Sequence, residues 1–257
     1  MSELPPEVIY EVEDKVAWLM INRPESRNAL NKATRDGLRT GFERFRDDDS
    51  AAVLVLTGAG DKAFCAGGDL KEMADGSLKI PPKDHMVYLQ RTLKVDKPII
   101  AAVNGLAYAG GFLLVQQVDL CVAADHAKFA ITEAKVGRGS PWAAPLPWLI
   151  PPRIAMELLL TAEPMSAQRA YEIGFVNKVV PYADLRDEAQ RMARAIADNA
   201  PLSVRAGKAL VFASADLGWE AGLDEGDRIY EPVYLSEDGQ EGPRAFREKR
   251  RPQWKGR

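Results

Sequence analysis

Short apolar runs, each interrupted by glycine, proline or charged residues, occupy most of the chain before Tyr182. Runs of this length predict strands, and continuous ones predict strands that are buried on both faces. The predicted strands are Val8 to Val12, Val16 to Ile21, Ala52 to Leu56, Ile99 to Val103, Leu120 to Ala124, Phe129 to Ile131 and Lys178 to Val180. Glu13-Asp14-Lys15 predicts a hairpin connection between the first two.

Helical spacing of apolar residues alternates with these strands. Leu38, Phe42 and Phe45 lie three and four positions apart, and Asn31 can cap the helix that they predict. Further helices are predicted at Phe112 to Val118, Arg153 to Leu160, Ser166 to Ile173, Asp184 to Asn199, Ser203 to Ala215, Gly222 to Tyr230 and Gly242 to Lys249. The alternation is typical of an α/β fold. We therefore expect a core domain over residues 1–200 and a helical region over residues 201–257, with the boundary at Pro201.

Composition narrows the class of protein. Of the 257 residues, 46% are hydrophobic and 28% are charged, and the net charge of -3 argues against a chain-wide nucleic-acid surface. No apolar run is long enough to span a bilayer and the N-terminus has no signal-peptide pattern, so we expect a cytoplasmic protein that binds neither membrane nor nucleic acid. Cys65, Cys121 and two isolated histidines predict neither a disulfide scaffold nor a metal site.

Glycine pairs follow two of the predicted strands. Gly67-Gly68 comes after the strand at Ala52 to Leu56, and Gly110-Gly111 comes after the strand at Ile99 to Val103. If these strands are neighbours, the two turns meet, and backbone N–H groups aimed at one oxygen form an oxyanion hole. The alternative is a pair of tight turns and a buried helix start that bind no ligand.

Glu133 is a carboxylate among apolar and small residues, in the sequence FAITEAKVG. Apolar surroundings raise the pKa of a carboxyl group, which suits a general acid or base near neutrality. The alternative is an exposed glutamate that stabilises a helix start.

Two phosphate-binding motifs are excluded by their context. Gly58 to Ala63 matches GxGxxA, but no helix opens within the match and no strand with a terminal acidic residue follows. No Gly-Lys-Ser/Thr follows either glycine pair, which argues against a P-loop.

The chain resembles the crotonase (enoyl-CoA hydratase/isomerase) superfamily in segments spread over almost its whole length. The matching segments are NRPESRNAL at Asn22 to Leu30, VLVLTGAGDKAFCAGGDLKEM at Val53 to Met73, KPIIAAVNGLAYAGG at Lys97 to Gly111, ITEAKVG at Ile131 to Gly137, MSAQRAYEIGFVNKVV at Met165 to Val180 and EGPRAFREKRRPQWKGR at Glu241 to Arg257. The resemblance implies a spiral of ββα units with a C-terminal helical trimerisation region, and homotrimers that often pair into hexamers. It implies an acyl-CoA substrate and no separate cofactor, because coenzyme A is part of the substrate.

The resemblance also assigns site residues. It implies that the N–H groups of Gly68 and Gly110 hold the thioester carbonyl oxygen, although the first glycine of the usual three-glycine turn is Ala109 here. It implies that one backbone segment contacts coenzyme A. It also implies cationic contacts with coenzyme A near Arg27 and in the C-terminal tail. The tail can contact the coenzyme A that is bound to a neighbouring subunit. The implied contact residues are Ala63, Ala66, Asp69 and Leu70 in the backbone segment and Phe246 and Lys249 in the tail.

This chain differs from the hydratases of the family at one catalytic position. Hydratases of the family hold water between two glutamates, and this chain retains the second as Glu133 but has Leu113 at the first. Leucine cannot hold or deprotonate water, whereas a single glutamate can shuttle one proton between carbons of an acyl chain. Dehalogenase chemistry needs an aspartate nucleophile that is absent from Ala134 to Met156. Trp142, in a proline-rich loop after Glu133, is expected to pack, and the alternative is that it shapes the pocket for the acyl group.

These expectations define an enoyl-CoA hydratase (lyase) or enoyl-CoA isomerase in which Glu133, Gly68 and Gly110 are catalytic and no metal takes part. Two alternatives stay open: a catalytically weak paralogue that only binds a coenzyme A thioester, and a thioester hydrolase whose nucleophile the sequence does not identify.

Overall fold

A computed structural model describes residues 3–75 and 80–257 of the protein, without the side chains of Leu70 and Asp75. The described residues form ten strands: β1 (Val8–Glu13), β2 (Val16–Ile21), β3 (Val53–Gly58), β4 (Ala63–Cys65), β5 (Ile99–Val103), β6 (Leu106–Tyr108), β7 (Leu120–Ala124), β8 (Lys128–Ala130), β9 (Met165–Ser166) and β10 (Lys178–Val180). They also form ten α-helices: α1 (Lys32–Asp47), α2 (Leu70–Asp75), α3 (Gly110–Gln116), α4 (Leu146–Leu149), α5 (Pro152–Thr161), α6 (Ala167–Glu172), α7 (Leu185–Ala197), α8 (Pro201–Asp216), α9 (Trp219–Tyr234) and α10 (Glu237–Glu248).

Six strands build the larger sheet, in the order β1-β2-β3-β5-β7-β10. Only β1 and β2 pair in antiparallel register, and the other pairs are parallel. All residues of β3 and β5 are buried, as their continuous apolar sequences predict. The predicted hairpin between β1 and β2 is confirmed, and it turns through Asp14 and Lys15, which both have positive φ angles of 49° and 65°. Two successive residues with positive φ give the turn whose twist matches that of paired strands.

The smaller sheet contains four short strands in the order β4-β6-β8-β9, and its first three strands are parallel. Each of these three follows a longer strand of the larger sheet and precedes a helical turn, so the chain repeats a ββα unit. The sequence predicts no strand between Val103 and Gly110, yet β6 lies there. Three residues are too few for a period of two to show in the sequence. The α/β class is confirmed.

The core fills the space between the larger sheet and the helices. Phe42 and Phe45 of α1 and Phe112 of α3 are fully buried. The predicted cap of α1 is confirmed, since Asn31 accepts a hydrogen bond from the N–H of Thr34 at 2.8 Å. Each sheet also holds one buried cysteine, Cys65 at the end of β4 and Cys121 in β7.

The last quarter of the chain is helical, as predicted. Helix α7 packs across β2, β3, β5 and β7 of the larger sheet. The next two helices, α8 and α9, pack against each other. Lys208 of α8 forms an ion pair with Asp119 at 2.8 Å and so links α8 to the strand-rich part of the chain. Helices α9 and α10 are longer than the predicted ranges Gly222 to Tyr230 and Gly242 to Lys249, and α9 continues through Pro232. Within the described residues, no helix is long and apolar enough to cross a membrane.

Candidate active site

Three adjacent parallel strands end at one edge of the smaller sheet. Gly68 follows β4, Gly110 follows β6, and Glu133 follows β8 by three residues. Because β4, β6 and β8 are neighbours in that order, the segments after them emerge side by side. The ββα repeat thus gathers the three predicted catalytic residues at one edge.

The two glycine turns are in direct contact. A Cβ atom built on Gly110 would lie 3.7 Å from the Cα atom of Gly67, and one built on Gly67 would lie 2.8 Å from the Cβ of Ala109. Gly67 also has a φ of 99°, which side-chain-bearing residues rarely adopt. Gly111 packs even more closely, because an added Cβ would lie 2.1 Å from the carbonyl oxygen of Cys65. Glycine is therefore required here by close approach of two backbones.

The N–H groups of Gly68 and Gly110 donate to no acceptor among the described residues, whereas neighbouring N–H groups are used. The N–H of Ala66 donates to the carbonyl of Arg27 at 3.0 Å, and that of Asp69 donates to Leu30 at 3.3 Å. Gly110 is the first residue of α3, so its N–H belongs to the positive end of that helix. Two unused donors thus lie in two touching turns.

Glu133 begins a short 3₁₀ turn that ends at Val136 and is half-buried. Burial raises the pKa of its carboxyl group, against smaller lowering contributions from backbone N–H groups and from the side chain of Trp142. Its Oε2 atom is buried and has no hydrogen-bond partner in the described part of the chain. This is the environment that suits a group whose proton is exchanged with a ligand.

Leu113 is 2% exposed in α3. The neighbouring residues Phe112, Leu114 and Val115 are also buried and apolar. The buried residues of this helix therefore include no carboxylate that could act together with Glu133.

Arg27 lies at a cavity of about 510 Å³ near the amino ends of β4 and β6. The cavity is also lined by Asp61, Lys62, Leu106, His126 and Tyr182. Lys62 and His126 are distant from Arg27 in sequence, so only the fold brings them to the same cavity. Ala63 begins β4 and Ala66 is hydrogen-bonded to Arg27, so two more of the predicted contacts lie along the same backbone.

Asp69 forms an ion pair with Arg23, with 3.0 Å between Oδ2 and Nη1. Although burial acts to raise it, the pKa of Asp69 is held below its ordinary value by Arg23 and by the N–H groups of Glu72 and Lys71. Leu70, the next predicted contact, is the first residue of α2, and its side chain lies outside the described part of the structure.

Phe246 and Lys249 lie elsewhere in the chain. Phe246 is 88% exposed in α10, and Lys249 ends that helix. The tail after α10 packs at a second cavity, of about 340 Å³, next to Lys15 and Lys97. Those lysines precede β2 and β5, so the tail lies at the amino ends of these strands. The predicted contact of Phe246 and Lys249 with a ligand stays a prediction.

No group of three or more His, Cys, Asp or Glu side chains within residues 3–75 and 80–257 is arranged to hold a metal ion.

Comparison with known proteins gives concordant results from sequence and structure. A family model described as "Enoyl-CoA hydratase/isomerase" matches residues 11–257. A carnitinyl-CoA dehydratase from Proteus mirabilis (strain HI4320) is 41% identical over 252 residues, which cover 94% of this chain and 95% of that protein. One from Salmonella agona (strain SL483) is 40% identical over 249 residues, covering 93% and 94%.

Solved structures share the fold. An enoyl-CoA hydratase from Mycobacterium tuberculosis H37Rv has a TM-score of 0.90 at 37% identity and covers 98% of this chain and 100% of its own. An enoyl-CoA hydratase from Bacillus anthracis has a TM-score of 0.90 at 33% identity with the same coverage. The crotonase-like fold is thereby confirmed, and the protein is a member of the enoyl-CoA hydratase/isomerase family.

Proposed function

We propose that the protein is an acyl-CoA enzyme that stabilises a thioester enolate with the N–H groups of Gly68 and Gly110 and moves a proton with Glu133. The observation that carries this proposal is the contact between the two glycine turns, each of which has an N–H group with no acceptor among the described residues. The half-buried carboxylate of Glu133 follows β8, the strand next to β6. Charge develops on the thioester oxygen when a neighbouring carbon loses its proton. Fixed donors stabilise that charge without rearrangement, and losing one costs about 3 kcal/mol of transition-state stabilisation.

A single carboxylate suffices for two reactions. In isomerisation, Glu133 takes a proton from C2 of a 3-enoyl thioester and returns it to C4. In dehydration, Glu133 takes the proton from C2 of a 3-hydroxyacyl thioester and transfers it to the hydroxyl group that leaves as water. Leu113 cannot bind or deprotonate water as a second glutamate would, so it favours reactions that need only one proton carrier. The names of the relatives, hydratase and dehydratase, favour the lyase reaction.

The test is turnover of a 2-enoyl-CoA, a 3-enoyl-CoA and carnitinyl-CoA by the wild type and by Glu133→Gln. We expect turnover of at least one thioester by the wild type and its loss by a factor of about 100 or more in the variant. Equal binding of the thioester by both proteins shows that the variant keeps its site. Binding without turnover by either protein would favour the alternative of a thioester-binding paralogue.

Thioester hydrolysis has less support. A covalent route needs an accessible nucleophile, and both cysteines are buried, which raises the pKa of the Cys65 thiol to about 12 and raises that of Cys121 as well.

We also propose that the protein assembles through its helical region as a homotrimer, or as a hexamer made of two trimers. Large apolar side chains on α8 and α9 are exposed in the single chain, among them Val211 (70%), Trp219 (88%) and Leu223 (60%). Such a surface favours burial against another copy. Sedimentation equilibrium tests this, and a monomer at micromolar concentration would contradict it.

A further inference from the structure

Leu30 pairs with the first glycine turn through both of its main-chain polar groups. Its N–H donates to the carbonyl oxygen of Gly67 at 2.8 Å, and its carbonyl oxygen accepts from the N–H of Asp69 at 3.3 Å. These two bonds flank Gly68 and form an isolated parallel bridge between Leu30 and Gly68. In such a bridge the flanked residue directs its own N–H away from its partner. The pairing therefore turns the N–H of Gly68 away from Leu30, where it has no acceptor among the described residues.

The side chain of Leu30 contacts the second glycine turn. Leu30 is 1% exposed, and a Cβ atom built on Gly110 would lie 2.8 Å from its Cδ1 atom. Leu30 thus contacts both turns that carry the candidate N–H donors, one with its main chain and the other with its side chain. A displacement of Leu30 would change the position of the Gly68 donor relative to the Gly110 donor.

Arg35 of α1 holds the carbonyl oxygen of Leu30 in place. Its Nη1 atom donates to that oxygen at 2.8 Å, and its Nη2 atom donates to Oε1 of Glu72 at 2.6 Å. The side chain of Arg35 is only 11% exposed, so solvent competes little for these bonds. Oε2 of Glu72 accepts from the N–H of Lys32 at 2.6 Å. Glu72 of α2 is therefore fixed against the first turn of α1, and Arg35 joins it to Leu30.

A second arginine makes the same kind of link one residue earlier. Nη1 of Arg23 donates to the carbonyl oxygen of Ala29 at 2.6 Å and to Oδ2 of Asp69 at 3.0 Å. Arginine is always charged and presents its donors in a rigid plane, so it can hold a main-chain carbonyl at a fixed place relative to a carboxylate. Two successive carbonyl groups are thus each joined to a carboxylate of the segment that follows Gly68.

We propose that Leu30 and Arg35 are positioning residues for the N–H donors of Gly68 and Gly110. Leu30 sets the orientation of the first donor and its place beside the second, and Arg35 prevents Leu30 from shifting. Donors that are already in place stabilise a developing negative charge without reorganisation. Support from a further layer of charged hydrogen bonds maintains that geometry. The effect on turnover rests on the proposed function, whereas the anchoring of Leu30 does not.

Arg35→Met tests the proposal, because it keeps the apolar stem of the side chain and removes both donors. Arg46→Met is the matched control in the same helix. Arg46 lies in the last turn of α1, where it pairs with Asp47 at 2.7 Å, and its replacement removes the same charge. Thermal unfolding verifies that each variant folds.

The first measurement is amide hydrogen exchange by mass spectrometry with fragmentation to single residues. It reports the protection of the N–H groups of Leu30 and Asp69, which form the two bonds of the bridge. We expect faster exchange at both groups in Arg35→Met and unchanged exchange in Arg46→Met. This measurement needs no ligand.

The second measurement is the infrared band of butyryl-CoA that is isotopically labelled at the thioester carbonyl carbon. Hydrogen bonds to the carbonyl oxygen lower the frequency of this band, so we expect a lower frequency on the wild type than in solution. Arg35→Met should lose part of that shift, and Arg46→Met should keep all of it. For a thioester that is turned over, kcat should fall about tenfold in Arg35→Met, because a displaced donor costs less than a removed one. The Kd for butyryl-CoA should change little.

A second variant carries the test if Arg35→Met does not fold. Glu72→Gln keeps the shape of the side chain and one acceptor oxygen but removes the charge, so it holds Arg35 less firmly. The same changes in exchange and in the infrared band are expected, at smaller size.

Unchanged exchange at Leu30 and Asp69 in the folded variants, or an equal change in Arg46→Met, would overturn the anchoring. Faster exchange together with an unchanged carbonyl band would overturn the positioning of the donors. Failure of the proposed function gives a different result: the band is not lowered on the wild type, or Glu133→Gln retains its turnover. The exchange data decide the anchoring of Leu30 in either case.

Discussion

The side-chain amides of Asn28 and Asn104 donate to the same acceptor, the carbonyl oxygen of Ala63, at 2.7 and 3.1 Å. Both asparagines are buried, with exposed fractions of 0% and 2%. Asn28 also donates to the carbonyl of Ala59 at 3.0 Å, and Asn104 to that of Gly60 at 2.6 Å. Two loops that are distant in sequence therefore hold the segment that leads into β4 and the first glycine turn.

Asn104→Ala is expected to lower the free energy of unfolding by about 3 kcal/mol, because buried groups lose their partners. The unpartnered groups would include the N–H of Gly58, which donates to Oδ1 of Asn104 at 3.1 Å. Urea unfolding measures the change. Asn199→Ala, which removes an exposed asparagine bonded to the carbonyl of Ala195, is the control. Equal stability losses in the two variants would contradict this prediction.

Gly111→Ala is expected to prevent formation of the second glycine turn, because its Cβ would lie 2.1 Å from the carbonyl oxygen of Cys65. Backbone atoms cannot move aside cheaply, so we expect either no folded protein or a large fall in thermal stability. Gly222→Ala makes the same change in α9, where nothing lies within 4 Å of the added Cβ. It should be neutral or stabilise by up to about 1 kcal/mol. Comparable melting temperatures for both variants would refute the proposed backbone contact.

Leu113→Glu should raise the rate of 2-enoyl-CoA hydration relative to isomerisation, because it adds a second carboxylate on α3. Leu113→Gln has nearly the same shape but cannot exchange a proton, so it should not raise hydration. Rates with both substrates and the affinity for a saturated acyl-CoA are measured for each variant. Unchanged hydration in a Leu113→Glu protein that still binds the thioester would mean that water is held elsewhere.

The pH dependence of turnover should follow Glu133. Its folded-state pKa is raised by burial, so as a base it is active only above that pKa, and kcat/KM should fall as the pH is lowered through a midpoint above the ordinary glutamate value of 4.5. Glu133→Asp keeps the carboxyl group but shortens its reach, so it should retain an acid limb at much lower activity. A pH-independent kcat/KM between pH 4 and about 8 would exclude Glu133 as the titrating base.

Acid stability should depend on Glu188, which pairs with Lys178 of β10 and Arg191 of α7. Hydrogen bonds from Arg191 and Lys178 lower the pKa of Glu188 to about 2. A depressed pKa stabilises the fold above the unfolded value of 4.5, and that stabilisation is lost as the pH falls toward 2.

The wild type should therefore be more stable than Glu188→Gln at pH 6, and the difference should shrink below pH 4.5. Denaturant titrations at several pH values measure it. Glu220→Gln, at an exposed position in the first turn of α9, is the control. A difference that stays constant down to pH 3 would exclude Glu188 as its source.

The central strands β2, β5 and β7 of the larger sheet could be predicted because each is a continuous apolar run. The strands β4 and β6 could not, because each has three residues and lies against a glycine turn. Their order nevertheless decides where the site lies, since it places Gly68, Gly110 and Glu133 at neighbouring strand ends.

The identity of the candidate catalytic residues was accessible from motif spacing, but their surroundings were not. Glycine spacing suggests a backbone donor, yet whether that N–H is free depends on pairing between distant segments, such as Leu30 with Gly67. The sequence predicts packing for Trp142 but not its hydrogen bond with Gln116, which joins residues 26 positions apart. Long-range polar contacts of this kind leave no local pattern in the sequence.

Each sheet contains one buried cysteine, so the reactivity of each thiol reports on the opening of its own sheet. Alkylating reagents attack the thiolate, which burial suppresses at Cys65 and at Cys121. The reaction of Cys65 would time the opening of the smaller sheet beside the glycine turns, and that of Cys121 the opening of the larger one. Pulse labelling could thus rank the two halves of the molecule by the order in which they come apart.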